Sequence, residues 1–441
     1  MTIILNKRSS SIGLKLAHHK ITAGSPIEKM PLPEKVVISL QQNIGAPCSP
    51  LVKRADKVLT GQKIGDSQGF VKAPVHATIS GEISGSTRVV NPPNGAMVEA
   101  LTITSDGEDK WVDIDPVKDL DSMTNEEILG KIGEAGLVGL GAATFPTRVK
   151  LSPSKDTKID AIILNGAECE GYVTSDHRVM LEYGEKVLSG LNIIKKLISP
   201  QNIYIAIEDN KQDAIEHLAK LIKSNGYNFN IIPLKSQYPM GGEKILTKVI
   251  LGREVPIGGL PTQVGAIVQN VSTAKAIYDA VLENKPYIEK VVTVTGLVKN
   301  PKNLLVRLGT SIGELIDYCG GMTDGANEVI LGGPMMGISQ FDLTFPVTKG
   351  TNCILVKEGR KLQERDCIRC GRCVEVCPMH LMPTMYVRYV KKGLYNECRS
   401  EYYVDDCFEC GSCSYSCPAN IPITQYIKIA KSELAKRKAK A

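Results

Sequence analysis

The spacing of apolar residues divides the chain into stretches of different character. From about Val37 to Ile103, short strand-like runs are separated by turns of Gly, Pro and Asp, a pattern that predicts a module of short β-strands. Past Gly136 the pattern changes, because apolar strand-like runs alternate with amphipathic helical runs. Alternation of this length predicts a parallel sheet with helices on its faces.

The elements of this second region can be bounded from the sequence. A capping box of Thr124 and Glu127 predicts the start of a helix. The predicted strands are Ile159–Leu164, Ile203–Ile207 and Phe229–Leu234, and the predicted helices are Val179–Ile198 and Asp213–Lys223. Ligands of such sheets bind in the loops at the carboxyl ends of the strands.

The first loop of the region is rich in glycine. It contains, in chain order, Gly136, Gly139, Gly141, Phe145, Pro146, Thr147 and Lys150. Glycines allow backbone N–H groups to come close to a phosphate, and a lysine supplies positive charge. Taken alone, such a run is more often a tight turn. A helix precedes it, where the Rossmann motif requires a strand, so that motif is not assigned.

Polar residues also collect at other loop ends of the predicted sheet. They are Asn165, Glu168, Cys169 and Glu170 after the first strand, Gly242, Glu243 and Lys244 at a predicted helix start, and Asn270 and Thr273 further on. Amides and carboxylates at several loop ends of one sheet indicate a nucleotide site that recognises ribose and amide groups. The alternative for any single residue is a helix cap or a turn.

Residues 367 to 418 contain a cysteine pattern that is written twice, forty residues apart. Each run reads C-x2-C-x2-C-x3-C-P, the bacterial ferredoxin spacing for a 4Fe–4S cluster. Soft thiolates hold iron in tetrahedral geometry, and in two-cluster proteins the fourth cysteine of each run ligates the other cluster. The predicted ligand sets are therefore Cys367, Cys370, Cys373 and Cys417 for one cluster, and Cys407, Cys410, Cys413 and Cys377 for the second.

Two other uses of these cysteines fit the pattern less well. Zinc sites use paired C-x2-C knuckles rather than four cysteines followed by proline, and disulfides belong to small secreted domains. Of the other cysteines, Cys48, Cys319, Cys353 and Cys398 are predicted to be small buried residues.

Composition limits the classes of protein to consider. A length of 441 residues suggests about three domains. Net charge is +6 and comes mostly from residues 428–441, where six Lys and Arg stand against one Glu. This tail is predicted to be a solvated helix end, with an anionic membrane surface or an acidic partner as the alternative. Scarce aromatics and scattered basic residues argue against nucleic acid. The chain shows no leader and no apolar run long enough to span a bilayer, so we expect a protein of the reducing cytosol.

Four motifs carry a resemblance to a known family. In chain order, GLGAATFPTRVK, NGAECEG, YPMGGEK and VQNVST resemble the flavin- and NADH-binding subunit of respiratory complex I. They are still more similar to the C subunit of the Rnf complex, the membrane-bound ferredoxin:NAD+ oxidoreductase. The similarity includes the paired cysteine runs, the IGAP segment Ile44–Pro47, and Val291–Gly337, which looks like the ubiquitin-like SLBB domain of this family. It covers nearly the whole chain from about residue 30.

The fold class expected from this resemblance is an α/β multidomain protein. Its predicted parts are a barrel-sandwich-like β-module (1–105), a parallel-sheet FMN- and NADH-binding domain (106–288), an SLBB domain (289–345), and an α-helical ferredoxin domain with two 4Fe–4S clusters and the basic tail (346–441). The half-motifs Val52–Ile64 and Val71–Ile83 resemble the halves of a lipoyl-carrier barrel. Lys72 lies inside a strand-like run rather than at a hairpin tip, so the module is interpreted as scaffold.

The resemblance also implies roles for the loop residues. Gly139, Gly141 and Lys150 would hold the FMN phosphate and ring edge, Asn165 would contact the flavin, and Phe145 would stack on NADH. The other implied contacts are Glu168, Glu170, Gly242 and Glu243 near the dinucleotide and flavin ring, and Asn270 and Thr273 at the flavin phosphate and ribityl chain. The chain departs from the family at Ala142 and Thr144, where glycine is usual, and in its N-terminal Gly-Gly-x-His-Pro element.

The implied function is electron transfer between two 4Fe–4S clusters, noncovalent FMN and NAD(H), coupled in the complex to Na+ or H+ translocation. NAD moves a hydride whereas clusters move single electrons, so the flavin stands between them; no catalytic triad or catalytic histidine is expected. The implied partners are the other Rnf subunits, including an iron–sulfur subunit that receives electrons from ferredoxin, at the cytoplasmic side of the cell membrane. The alternatives are a soluble relative serving an amino-acid or cobalamin reductase, and an iron–sulfur electron wire without a nucleotide site.

Overall fold

The computed structural model describes residues 3–91, 96–117, 119–141, 143–154, 156–359 and 362–440. Across this part of the chain, buried apolar side chains form separate cores in an N-terminal β-module, around a parallel sheet, in a mixed sheet and among C-terminal helices. None of the described helices is long and apolar enough to cross a membrane.

The first eight strands include those of the N-terminal module. They are β1 (Ile27–Lys29), β2 (Lys35–Ser39), β3 (Ser49–Pro50), β4 (Lys57–Val58), β5 (Lys63–Asp66), β6 (Val75–His76), β7 (Gly81–Asn91) and β8 (Ala96–Ser105). The module has two antiparallel sheets, ordered β2-β8-β7-β4 and β3-β5-β6. Lys72 lies outside any strand, which corrects the prediction for it, because Pro74 lacks the N–H that a ladder needs. Its ammonium group is 2.9 Å from the carboxylate of Asp66.

The predicted parallel sheet is present. Its strands are β9 (Ala161–Gly166), β10 (Asn202–Glu208), β11 (Asn230–Leu234) and β12 (Ala266–Asn270). Its helices are α1 (Asn125–Glu134), α2 (Thr147–Lys150), α3 (Ser175–Glu182), α4 (Gly184–Ile198), α5 (Gln212–Ser224), α6 (Glu243–Leu251) and α7 (Val271–Val281). The order is β11-β10-β9-β12, with all pairs parallel. Asn165 and Asn270 are register partners at the carboxyl ends of β9 and β12.

One predicted helix is two helices in the structure. The pattern of Val179–Ile198 predicts a continuous helix, but α3 ends at Glu182 and α4 begins at Gly184, with Tyr183 between them at φ −122°. A Cβ at Gly184 would lie 2.8 Å from the side chain of Leu221 on α5. Glycine at position 184 therefore lets α5 pack closely at the start of α4, a contact that the local apolar pattern does not contain. The capping box of Thr124 and Glu127 is confirmed.

A mixed sheet follows the α/β region. Its elements are β13 (Glu289–Gly296), β14 (Lys302–Arg307), α8 (Ile312–Tyr318), β15 (Glu328–Leu331), β16 (Ile338–Gln340) and β17 (Cys353–Lys357). The strand order is β1-β14-β13-β17-β15-β16. The domain boundary after residue 345 stays a prediction, and the pairing of β17 with β13 and β15 favours a boundary after Lys357.

The C-terminal region is helical. Its helices are α9 (Arg372–Glu375), α10 (Pro383–Val390), α11 (Tyr395–Ser400), α12 (Ser412–Tyr415) and α13 (Ile423–Lys440). The forty-residue repeat of the sequence is also a structural repeat, because α9 and α12 each follow a glycine with φ 79°, Gly371 and Gly411. The basic tail is the end of α13, as predicted.

The N-terminal segment, residues 3–26, connects the two larger sheets. Its backbone bonds first to β11, where the Leu5 N–H donates to the Ile231 carbonyl over 2.8 Å. It then passes the strand-exit loop of β9, where the Tyr172 N–H donates to the His18 carbonyl over 2.8 Å. The segment ends at β1, which pairs with β14. It thereby borders two of the predicted binding loops.

Candidate functional site

The glycine-rich loop lies against the start of α7. The Gly139 N–H donates to the Phe145 carbonyl over 2.8 Å and closes the loop, and the Leu140 N–H donates to Thr273 Oγ1 over 3.0 Å. A Cβ at Gly141 would lie 3.6 Å from the Asn270 side chain. The structure therefore brings together Gly139, Gly141, Asn270 and Thr273, four of the predicted pocket residues.

Asn270 has a structural role within this group. Its side-chain oxygen accepts hydrogen bonds from the N–H groups of Ser272, at 2.8 Å, and Thr273, at 3.3 Å, so it caps α7. Its amide nitrogen donates to Asp176 over 2.6 Å. Asn270 is therefore a helix cap, the alternative role given above for single loop residues. Its capping bonds also hold it beside the glycine loop.

The two departures from the family fall in the glycine loop. Ala142 lies outside the described residues. Thr144 has φ 48°, in the left-handed region that a β-branched residue rarely adopts. Its carbonyl accepts from the Ile44 N–H over 3.1 Å, which connects the loop to the IGAP segment of the β-module.

Lys150 and Glu243, from two of the predicted binding loops, are in contact. Lys150 ends α2 and Glu243 begins α6, and the ammonium group of Lys150 contacts the carboxylate of Glu243. Among the described residues, the hydrogen-bond partner of the Glu243 carboxylate is Lys150, and α6 has Gly242 as its N-cap. The Glu243 side chain is 42% exposed.

Asn165 holds the β9 exit against the loop before α6. Its amide nitrogen donates to the Gly241 carbonyl over 2.9 Å, and its oxygen accepts from the Ala167 N–H over 3.1 Å. Cys169 extends the same contact, because its sulfur accepts from the Gly241 N–H over 3.3 Å. Phe145, the residue expected to stack on NADH, is half-buried in the glycine loop.

Glu168 is used inside the protein. Its backbone has φ 48°, and its buried carboxylate accepts hydrogen bonds from the Asp176 N–H, at 2.7 Å, and the His177 N–H, at 3.3 Å, at the start of α3. Burial raises the pKa of this carboxyl to about 7, against the opposing effect of Lys20. Carboxylates are favoured at helix N-termini, so Glu168 caps α3.

Glu170 reaches from the same loop to the mixed sheet. Its carboxylate accepts from the N–H groups of Met335, at 3.1 Å, and Met336, at 2.7 Å. Burial raises the pKa of Glu170 to about 7. Two of the three predicted carboxylates, Glu168 and Glu170, therefore hold loops in place, and the third, Glu243, contacts Lys150.

The second predicted cluster set surrounds one cavity. Its lining includes all four cysteines of that set, Cys377, Cys407, Cys410 and Cys413. Crossed ligation predicts this grouping, in which Cys377 comes from the other run. Among the described residues, no group of three or more His, Cys, Asp or Glu is arranged around a single metal ion; a cubane differs, because its four iron atoms each bind one cysteine.

The first set lies nearer the surface. Burial raises the pKa of Cys373, and the neighbouring thiols of Cys417 and Cys367 raise it further, so these three side chains are close together. Cys367 and Cys370 are exposed. The two sets therefore differ in burial, with the Cys377 set inside and the Cys367 set outside.

The inner cysteine set packs on the parallel-sheet domain. A Cβ at Gly242 would lie 3.3 Å from the ring of Phe408, which stands between Cys407 and Cys410. The Tyr238 hydroxyl donates to the Cys410 carbonyl over 2.5 Å. Asp406 accepts from the Gly258 N–H over 2.8 Å and from Lys244 over 2.9 Å. The loop before α6 therefore touches both predicted sites.

Sequence reasoning missed the lysines that support the loops. They are Lys20, Lys211, Lys290 and Lys349, each bonded to backbone carbonyls of the glycine loop or the β9 exit. A lone lysine in a sequence is expected at the surface, so no local signal identifies these four. Cys48, Cys319, Cys353 and Cys398 are buried, as predicted.

Comparison with family models agrees with this architecture. The models match in chain order: an RnfC barrel-sandwich hybrid domain (9–108), a Nuo51 FMN-binding domain (132–279), an SLBB domain (291–339) and a 4Fe-4S dicluster domain (366–421). This order confirms the predicted fold class.

Curated relatives are similar over most of the chain. The C subunit of the proton-translocating ferredoxin:NAD(+) oxidoreductase complex of Clostridium ljungdahlii is 46% identical over 87% of this chain and 84% of its own. The Na(+)-translocating counterpart of Acetobacterium woodii is 42% identical over 87% of both chains. The chain belongs to the RnfC family. The C subunit of the ion-translocating oxidoreductase complex of Rhodobacter capsulatus, another member, is 41% identical over 83% of this chain and 72% of its own.

Among solved structures, an NAD+-reducing [NiFe]-hydrogenase in the air-oxidized state matches at a TM-score of 0.49 and 18% identity. The match covers 70% of this chain and 63% of the hydrogenase chain.

Proposed function

We propose that this RnfC protein transfers electrons between two 4Fe–4S clusters, noncovalent FMN and NAD(H) in a membrane-associated ferredoxin:NAD+ oxidoreductase complex. The observation that carries the proposal is the contact between the two sites, because the loop before α6 joins the pocket residues Gly242 and Glu243 to the cysteine run at Phe408. FMN, when bound, exchanges a hydride with nicotinamide and single electrons with the clusters.

The pocket residues fit an anionic flavin nucleotide. Gly139 and Gly141 leave room for close backbone approach, and the N-terminus of α7 beside them favours negative charge. Lys150 and Asn165 hold neighbouring loops in place at the same sheet edge. Glu243 is the accessible carboxylate, and we assign it to the hydroxyl or carboxamide groups of NADH.

The cysteine sets fit two clusters in series. The set of Cys377, Cys407, Cys410 and Cys413 is enclosed and touches the flavin domain, so it is the inner cluster of our proposal. The set of Cys367, Cys370, Cys373 and Cys417 includes two exposed cysteines and is the outer cluster. With clusters bound, the outer set would be the one nearer to an iron–sulfur partner protein, and the inner set would lie between it and the flavin pocket.

Membership of the RnfC family, whose relatives are named as subunits of translocating oxidoreductase complexes, supports a location at the membrane. We propose a peripheral protein on the cytoplasmic side of the cell membrane, bound to the other Rnf subunits. The relatives are named for different coupling ions, a proton in one and Na+ in the other. Ion movement therefore belongs to the complex, and Na+ and H+ remain alternatives for it.

An absorption experiment tests the proposal. Anaerobically reconstituted protein should contain about eight iron and eight sulfide per chain, as two 4Fe–4S clusters require, and near one acid-releasable FMN. NADH should bleach the flavin band and then the cluster absorption. Protein with full iron that takes up no FMN would overturn the flavin pocket and favour the electron-wire alternative. Protein that binds FMN but is not reduced by NADH would overturn the nicotinamide site alone.

A further inference from the structure

Three buried lysines and one partly buried lysine support the predicted binding loops, and they divide into two pairs by their counter-charges. A buried ammonium group is costly unless a carboxylate or several acceptors compensate it. Lys20 and Lys211 serve the β9 exit, whereas Lys290 and Lys349 serve the glycine loop. The pair that lacks carboxylate partners among the described residues is the pair whose positive charge a bound anion would compensate.

The first pair is compensated within the protein. Lys211 lies 3.2 Å from the carboxylate of Glu208 and donates to the Ala167 carbonyl over 2.7 Å. Lys20 lies 3.9 Å from the carboxylate of Glu168 and donates to three backbone carbonyls of the same loop. These two lysines need no further anion.

The second pair lacks carboxylate partners. Lys349 is 1% exposed and donates to the carbonyls of Pro74, at 2.8 Å, and Gly136, at 2.7 Å. Lys290 is 5% exposed and donates to the carbonyls of Lys349, at 2.8 Å, and Leu140, at 3.4 Å. Within the described part of the chain, neither ammonium group forms an ion pair with a carboxylate.

Lys290 also has an unused hydrogen-bond donor. An ammonium group has three N–H donors, and the described residues provide Lys290 with two acceptors. Burial lowers the pKa of Lys290 to about 7, and Asp176 is the charged group that opposes this shift. Asp176 itself is held by Asn270, at 2.6 Å, and Ser272, at 2.5 Å.

Lys290 lies beside the glycine loop of the proposed flavin site. The Leu140 carbonyl faces Lys290 while the Leu140 N–H donates to Thr273 on α7. The ammonium group is therefore next to the glycine loop at the start of α7. Lys150, the lysine expected from the sequence to supply charge to a phosphate, is already paired with Glu243.

We propose that Lys290 supplies the buried positive charge that makes the pocket select a phosphorylated flavin, FMN, over riboflavin. The inference rests on the proposed flavin site and deepens it, because it names the residue that reads the phosphate. A bound phosphate would complete the electrostatic environment of an ammonium group that forms no ion pair with a carboxylate of the described residues. Lys349 orients the same loop from the side of the β-module.

Binding of two flavins to flavin-free, cluster-loaded protein tests the inference. Dissociation constants for FMN and riboflavin are measured anaerobically by quenching of flavin fluorescence. In the wild-type protein FMN should bind tighter than riboflavin. Lys290→Met should weaken FMN binding about ten- to a hundredfold, the size of a lost charge-assisted contact, and leave riboflavin binding nearly unchanged. Lys290→Arg, which keeps the charge, should retain part of the preference.

Lys211→Met is the matched control. It removes an equally buried ammonium group, but one with Glu208 as its partner. It should change the affinities for both flavins by the same factor. If Lys290→Met also weakens both flavins equally, Lys290 only maintains the fold and the inference is wrong.

A measurement on the wild-type protein covers the case in which the variants do not fold. Inorganic phosphate should weaken FMN binding and leave riboflavin binding unweakened, because it competes for the phosphate position alone. Phosphate that competes with neither flavin would contradict the inference. If the wild-type protein binds both flavins equally, the inference fails while the flavin site stands; if it binds neither, the proposed function fails as well.

Discussion

At the scale of single residues, side chains of one type have different tasks. Glu168 and Glu170 are buried and bonded to backbone N–H groups, whereas Glu243 is partly exposed and contacts Lys150. An ion pair with this exposure contributes little to stability, about 0–1 kcal/mol. Replacing Glu243 should therefore cost the fold little, so the recognition role proposed for it can be tested on its own.

Replacing Glu243 by alanine tests its role in recognition. Loss of a charge-assisted hydrogen bond of about 1.5–3 kcal/mol should raise the KM for NADH roughly ten- to a hundredfold, with FMN and iron content unchanged. Steady-state kinetics with an artificial electron acceptor measure the effect. Glu254→Ala is the control, because it removes only a surface ion pair with Lys248. An unchanged KM for NADH would show that Glu243 does not bind the nicotinamide nucleotide.

The pKa of Glu170 predicts a dependence of stability on pH. Burial raises this pKa from 4.5 in the unfolded chain to about 7 in the folded protein. The folded protein then retains a proton that the unfolded chain has released, so the stability contributed by this group is present below about pH 4.5 and is lost as the pH rises through about 7.

Glu170→Gln should remove this dependence. The variant should gain stability relative to the wild-type protein as the pH rises from 6 to 8.5, by on the order of 1–3 kcal/mol. Thermal midpoints of both anaerobic holoproteins across that range measure the difference. A difference that is constant with pH would show that the carboxyl does not titrate in the folded protein.

At the scale of elements, the forty-residue repeat places the cysteines. Each run forms a loop and a short helix, α9 or α12, after a glycine with positive φ. The two repeats pack against each other, α9 on α12 and α10 on α13. Cys377 consequently lines the cavity of Cys407, Cys410 and Cys413.

Cys377→Ser tests the crossed arrangement. The variant should lose or alter the inner cluster and keep the outer one, so iron should fall from about eight toward four per chain, and the remaining EPR signal should match that of the outer cluster. Cys417→Ser should have the opposite selectivity. Cys398→Ser, at a buried cysteine outside both sets, is the control with full iron. Loss of the cluster of Cys367, Cys370 and Cys373 in the Cys377 variant would contradict crossed ligation.

At the scale of the whole molecule, the helical region is positioned on the parallel-sheet domain by a small set of contacts. Phe408 packs beside Gly242, and its partly buried ring joins the apolar cluster of Met240 and Leu246. Tyr238 bonds to the backbone of Cys410. The same surface thus sets the separation between the proposed flavin and the inner cluster.

Phe408→Ala should slow the reduction of the clusters without affecting the reduction of the flavin by NADH. Removing a partly buried ring should weaken the interface by roughly 1–3 kcal/mol, less than a fully buried phenylalanine costs. NADH-dependent reduction of an acceptor that reacts at the flavin should be unchanged, while bleaching of the clusters by NADH in stopped-flow measurements should slow. Phe341→Ala, at a ring that is 94% exposed, is the control. Equal rates for both variants would show that this contact does not govern transfer.

Much of the fold was predictable because it depends on local patterns. The strand and helix alternation located the parallel sheet, with β9 shifted by two residues from its predicted bounds. The predicted pocket residues Gly141 and Asn270 do lie side by side, since both stand at loops on the carboxyl edge of the sheet. The same reasoning missed the break at Tyr183, next to Gly184, where α5 packs closely.

The sequence by itself determined the alternating strands and helices, the two cysteine runs and the candidate loops, because periodicity and ligand spacing are properties of neighbouring residues. Only the tertiary structure decided which glutamates bond to backbone N–H groups, which cysteine set touches the FMN-binding domain, and which buried lysines form no ion pair with a carboxylate of the described residues. The acceptors of Lys349 are Pro74 and Gly136, far from it in the chain. Desolvation and charge compensation depend on such distant contacts, which no local pattern contains.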